Sequence, residues 1–372
     1  MLFAFFMNST SFAVEKTTFS KESLLCEIYS IEHYKMYESK LLDTYFIACA
    51  LYFDFESSDL MPDTENSDFY EKVKAYFTPY QTHPFIKNFG NYVDKQNQTQ
   101  NFEVVSTLLM YAFSKTDYNM GVDTVQNSVF ESGKQFQKFL DDLYQFYIDT
   151  NAEQFFDSLD LQKEMVSYVQ KNAETIPIET LILEMEHYTG NKEILYKEKN
   201  VEYRSVMTLF RPFYASFYQF YFGNDVYFVG QQSPNDSQRK PEIFDIQQTI
   251  NTTIHEFLHN FINQPVYEQN ELILKLSENK QKSDYTNTIY KNMPWNRIAD
   301  ETIVRVVETA IYEKVLQNKQ KAFELILEKE IAYSGMPNLQ KMYDALKTYE
   351  SNRDKYKTIS DFLPKLITIL FE

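Results

Sequence analysis

The chain of 372 residues carries 36 Lys+Arg against 53 Asp+Glu, a formal net charge of −17, which argues against nucleic acid as a partner and against a polybasic membrane anchor. Hydrophobic residues at 44% and charged residues at 24% are globular proportions, and only 7 Gly and 11 Pro favour long helices. Two cysteines, Cys26 and Cys49, are too few for a disulfide framework or a Cys-based zinc site.

No stretch is long and apolar enough to predict a transmembrane span. Residues 1–20 begin with the apolar run Leu2 to Met7 but carry no basic residue before Lys16. They read either as a degenerate export signal, which implies a secreted or periplasmic protein, or as a plain N-terminal segment of a cytoplasmic one. Residues 21–56 show apolar positions at helical spacing, from Leu24, Leu25, Ile28, Ile31 and Tyr34 on to Leu41, Tyr45, Cys49 and Tyr52. A polar break spans Ser57 to Asp68, and further amphipathic helices are expected over 69–77, 85–93, 102–113, 130–156 and 152–188, the last ended by Thr189-Gly190. Near residue 200 the texture changes. Val201 to Phe210, Phe217 to Phe222 and Asp225 to Gly230 are β-branched and aromatic, so strands are expected there, followed by a loop at 233–237. A helix then starts near Ile246, and helix continues to the end. Strands gathered in one place imply an α+β, mostly helical fold rather than alternating βαβ units. A mostly helical part at 21–200 and a second part at 201–372, or one continuous domain, are the expected organisation.

The helix from Ile246 carries His255-Glu256-Phe257-Leu258-His259, two of the five histidines in the chain. Four residues apart on a 3.6-residue turn, His255 and His259 share one face and can reach one Zn²⁺, with Glu256 beside the position of a bound water. Ile246, Ile250, Ile254, Phe257, Leu258 and Phe261 form an apolar stripe on another side, and Pro265 is expected to end the helix soon after Asn263.

A catalytic zinc needs a third protein ligand, and no histidine follows His259. Ile262 and Pro265 stand where a metzincin carries Gly and His. The third ligand is therefore a downstream carboxylate or an upstream histidine. Glu301 leads, on an amphipathic helix from Trp295 to Glu308 whose adjacent face also holds Arg305 and Glu308. Asp300, Glu268 and Glu271 are its rivals. His33, His83 and His187 read as ordinary surface or capping residues.

His-Glu-Phe-Leu-His followed by the later Asp300-Glu301-Thr302-Ile303-Val304-Arg305 resembles the gluzincin group of zinc metallopeptidases, and more closely an uncharacterised bacterial family of predicted peptidases. The resemblance implies a zincin-like catalytic part with a small sheet next to the motif helix. It implies Zn²⁺ as cofactor, a peptide or protein substrate, His255, His259 and Glu301 as metal ligands, and Glu256 as general base. Tyr267, Tyr285, Tyr290, Tyr333 and Arg305 are the available oxyanion donors. The strand at Val226–Val229 is the expected edge for an added peptide strand. Two other readings remain: a non-catalytic binding protein on the same scaffold, and a metal-free helical interaction protein.

Overall fold

The computed structural model describes residues 19–53, 68–93, 98–120, 122, 129–159, 178–208, 216–232, 246–281, 291–328 and 338–372. The expected export segment apart from Phe19 and Ser20, the polar break at 57–68 apart from Asp68, the loop at 233–237, Tyr285, Tyr290 and Tyr333 lie outside them. Helices dominate the described residues, with one five-stranded sheet. The fold is therefore α+β and mostly helical, as the clustering of strands implied. No helix among the described residues is long and apolar enough to cross a membrane.

The chain divides into two compact units that do not follow a single cut near 200. One gathers residues 4–174 and 202–250; the other gathers 175–201 and 251–372.

The first unit holds all or nearly all of every strand. Cys26–Ile31 (β1) and Tyr34–Glu38 (β2) form an antiparallel hairpin with a bulge between Glu27 and Tyr29. These residues were expected to be helical, because Ile28, Ile31 and Tyr34 sit three apart. The same run is β-branched and aromatic, and long-range pairing decides the outcome: β2 runs parallel to Asn200–Met207 (β3), from Tyr34↔Tyr203 to Glu38↔Met207. Ser216–Phe222 (β4) and Asp225–Gln232 (β5) form a second hairpin. Gly223 opens its two-residue turn at φ +65, a conformation that favours glycine. The sheet order is β1-β2-β3-β5-β4. The strand containing Val226–Val229 is thus internal, and the edges are β1 and β4, which corrects the expectation that it would offer a free edge.

Helices Lys40–Phe53 (α1), Asp68–Phe77 (α2), Gln98–Tyr118 (α3), Gly133–Asp149 (α4) and Ala152–Ser158 (α5) complete this unit. Its core is aromatic. Phe139 meets Tyr92 edge to face at 4.8 Å between centroids, and Phe130 at 5.3 Å. Such contacts add to area burial. Cys49 is buried within α1, the small hydrophobe its sequence context suggested. His83 caps the short helix after it, accepting from the Phe85 amide, and its Nε2 meets Asp149 at 3.0 Å.

The second unit is built around Trp295–Leu316 (α9), against which Ile178–Thr189 (α6), Asn270–Ser277 (α8), Leu339–Ser351 (α10) and Ile359–Leu370 (α11) pack. Gly190 ends α6 at φ +64, where a Cβ would stand 2.7 Å from the Lys357 carbonyl oxygen. The motif helix, Ile246–Glu268 (α7), belongs to this unit from Asn251 onward.

Pro265 does not stop α7; it sits inside the helix. A proline at this position removes the N–H that the Phe261 carbonyl would accept. Asn191 supplies the missing donor: its Nδ2 reaches the Phe261 oxygen at 2.6 Å. Tyr196 donates its hydroxyl to the neighbouring Asn260 oxygen at 2.9 Å. The buried turn stays satisfied, so the helix runs on.

Candidate metal centre

Every residue of α7 from Thr253 to Asn263 is buried. The apolar stripe is there, with Ile254, Phe257, Leu258, Phe261 and Ile262 fully enclosed, but the histidine face is buried as well. Polar groups survive such burial only when paired, and their partners come from one face of α9.

His255 Nε2 lies 3.3 Å from His259 Nε2, with the two rings at 90°. Glu301 closes the group: its Oε2 is 3.5 Å from His255 Nε2 and its Oε1 3.8 Å from His259 Nε2. Behind them, His255 Nδ1 meets Glu308 Oε2 at 3.2 Å, and His259 Nδ1 meets Asp300 Oδ1 at 3.3 Å. With its NH2 turned toward Asp300, the Asn263 amide donates to Oδ2 at 3.0 Å. Arg297 Nη1 donates to Asp300 Oδ2 at 3.0 Å and Nη2 to Glu301 Oε1 at 3.4 Å. Arg305 Nη1 donates to Glu308 Oε2 at 3.4 Å.

Where Nδ1–H donates to the carboxylate behind each ring, the Nε2 of the neutral imidazole presents a lone pair. Both lone pairs and a Glu301 oxygen face one small volume, with ligand atoms all within 4.8 Å of one another. A cation shared between the two nitrogens relieves their repulsion, as does an Nε2–H donated to Glu301. Zn–N distances of about 2.0–2.1 Å in a tetrahedron set ligand atoms roughly 3.3 Å apart, which the imidazole pair matches. Four acidic side chains (Glu256, Asp300, Glu301, Glu308) against Arg297 and Arg305 leave acidic groups in excess, a setting that favours a cation.

The acidic surroundings favour the charged form of both imidazoles, whose added proton a bound cation would displace. Burial alone would push the His259 imidazole down, but Asp300 and Glu301 outweigh it and raise it to about 9. For His255, burial and Arg305 pull down while Glu301 and Glu308 pull up, and the net is upward. Burial favours a protonated Glu301, yet His259, His255 and Arg297 hold it well below the ordinary carboxylate range. Burial raises the Glu256 carboxyl against the opposing pull of His255 and His259.

Of the sequence candidates, His255, His259 and Glu301 come together. Asp300 stands behind His259 rather than in the converging set. Glu268 and Glu271 are exposed and do not join the group. Arg305 and Glu308 act on His255, whereas the ion-pair partner of Glu301 is Arg297. Sequence reasoning missed Arg297 and Asn263. One local signal existed for each: Arg297 is one turn before Glu301, and Asn263 is one turn after His259. Tyr267 lies one turn further, with its hydroxyl against Arg297.

A family model described as Domain of unknown function (DUF4932) matches residues 117–369, a span that contains α7 and α9 entire. No curated protein and no solved structure matches the chain. The family match covers more than half of the 372 residues, so the chain belongs to the DUF4932 family.

Proposed function

We propose that the protein is a zinc-dependent metallopeptidase of gluzincin type. The observation that carries this reading is the convergence of His255 Nε2, His259 Nε2 and the Glu301 carboxylate, each imidazole backed by its own carboxylate. Two nitrogen donors and one oxygen donor suit zinc and leave one position for water. His255, His259 and Glu301 hold the ion. A zinc ion bound there lowers the pKa of its water and polarises the scissile carbonyl.

The remaining chemistry belongs to side chains. Glu256, next to the first ligand and largely buried, takes the proton of the attacking water and returns it to the leaving amine. Glu308 and Asp300 orient the two imidazoles through Nδ1 and raise their basicity as donors. Glu256 also separates this reading from a purely structural zinc site, which has no use for a carboxylate beside the metal.

Elemental analysis of the purified protein, paired with digestion of a mixed peptide library, tests the proposal. One zinc per chain is expected, lost in His255→Ala. Glu256→Gln should retain the zinc and lose hydrolysis by 100-fold or more, on the order of a general base's contribution. Undiminished zinc in His255→Ala would sink the centre as drawn. Full hydrolysis by Glu256→Gln would sink the catalytic role and leave a metal-binding protein.

A further inference from the structure

The third ligand has a partner that neither the motif nor the general chemistry of such sites requires. Arg297 precedes Glu301 by one turn of α9 and spreads its guanidinium over two carboxylates at once. Nη1 donates to Asp300 Oδ2 at 3.0 Å and Nη2 to Glu301 Oε1 at 3.4 Å. Asp300 is fully buried and holds His259 through its other oxygen, at 3.3 Å. One planar fork therefore connects the carboxylate that orients the second imidazole with the carboxylate that completes the ligand set. The Tyr267 hydroxyl lies against the same guanidinium, from the turn of α7 beyond Asn263.

The two oxygens of Glu301 are not equivalent. Oε1 is engaged by Arg297, and Oε2 is the one nearest an imidazole nitrogen, 3.5 Å from His255 Nε2. A carboxylate with one oxygen committed to a guanidinium offers the other as its donor. We propose that Arg297 is a positioning residue that makes Glu301 a one-oxygen metal ligand and couples its orientation to that of His259 through Asp300. This rests on the metal reading above and goes beyond it. The consequence is a lower coordination number, with room kept for water and a substrate carbonyl. Lysine cannot reproduce the role, since an ammonium is a point charge without the fork.

The test uses Co²⁺ as a spectroscopic stand-in for zinc, added to the metal-free full chain. Four-coordinate Co²⁺ absorbs visible light several-fold more strongly than five- or six-coordinate Co²⁺. The parent protein should bind one Co²⁺ with intense visible bands. In Arg297→Lys, which keeps a charge beside buried Asp300, the bands should weaken several-fold and Co²⁺ affinity should fall about 10-fold. The melting temperature of the metal-free variant should stay near that of the parent. Arg297→Ala should show the same spectral change, and supplies the result if the lysine variant does not fold. Parent-like bands and affinity in either folded variant would overturn the assignment while the metal centre stands. If the parent takes up no Co²⁺, or His255→Ala takes it up equally, the metal reading itself falls and Arg297 has no ligand to position.

Discussion

The two imidazoles owe their orientation to carboxylates 53 and 41 residues away in sequence, Glu308 behind His255 and Asp300 behind His259. The two histidines of the candidate centre were legible because their relation is local: four residues on one helix, with the glutamate between them. Glu301 was legible as a class of residue, since a downstream helix had to supply an oxygen donor. Its choice over Asp300 depends on the rotation of α9 against α7, which no spacing along the chain encodes. Glu308 shows the difference at one atom. Its Oε2 accepts from His255 and Arg305, while its Oε1 is buried without a hydrogen-bond partner. A carboxylate held at that desolvation cost belongs to an arrangement that gains from its charge. Glu308→Gln keeps the shape and removes the charge. It should weaken zinc binding about 10-fold or more, measured by competition with a chromophoric chelator. The metal-free protein should melt at the same temperature or higher, because the buried charge is gone.

At the scale of elements, Pro265 is the clearest case of a strong local rule overruled by a distant side chain. A proline cannot donate to the carbonyl four residues back, so the helix was expected to end. Asn191 replaces the lost donor on the Phe261 oxygen, and its own Oδ1 is tied to Ser360 Oγ at 3.0 Å. The helix therefore keeps its last turns, which carry Tyr267 toward Arg297. Asn191→Ala should destabilise the protein by about 1–3 kcal/mol, the cost of an unsatisfied buried carbonyl. In a Pro265→Ala background the backbone N–H returns, and the same asparagine substitution should cost roughly 1 kcal/mol less. Urea denaturation of the four proteins in that cycle measures the coupling; strict additivity would show that Asn191 does not compensate for Pro265. The β1–β2 hairpin taught the opposite lesson about periodicity. A short apolar run at a spacing of three satisfied a helical reading, but a partner strand 169 residues away decided it.

At the scale of the whole molecule, the chain builds two units by weaving. The segment 202–250 returns to the N-terminal unit to complete the sheet, and the chain then leaves it to form the candidate metal centre. The expected boundary near 200 marked a true change in texture, yet the strands beyond it group with the earlier helices and not with the motif helix. The candidate ligands His255, His259 and Glu301, their partners Asn263, Arg297, Asp300, Arg305 and Glu308, and the brace Asn191 all belong to the unit formed by 175–201 and 251–372. Metal binding should stabilise that unit by mass action, about 2.7 kcal/mol when free metal is a hundredfold above Kd. Chelation should therefore speed amide hydrogen exchange in α7 and α9 while strands β1 to β5 keep their protection. Uniform acceleration over both units would show that the metal contribution is not confined to one.

What was legible in the chain alone follows from short-range physics. Few Gly and Pro favoured long helices, the one β-rich interval near 200–230 gave the α+β class and strands β3 to β5, and the His-Glu-Phe-Leu-His spacing set two imidazoles on one face. The lack of a histidine after His259 narrowed the candidate third ligand to a short set of carboxylates headed by Glu301. The tertiary structure decided the rest: which carboxylate converges, which ones stand behind the rings, that Arg297 holds one oxygen of Glu301, and that α7 survives its proline. All but the Arg297–Glu301 pair, which lies within α9, depend on groups brought together from separate segments, where burial raises the cost of an unpaired charge and so selects one arrangement among many with the same pattern along the chain.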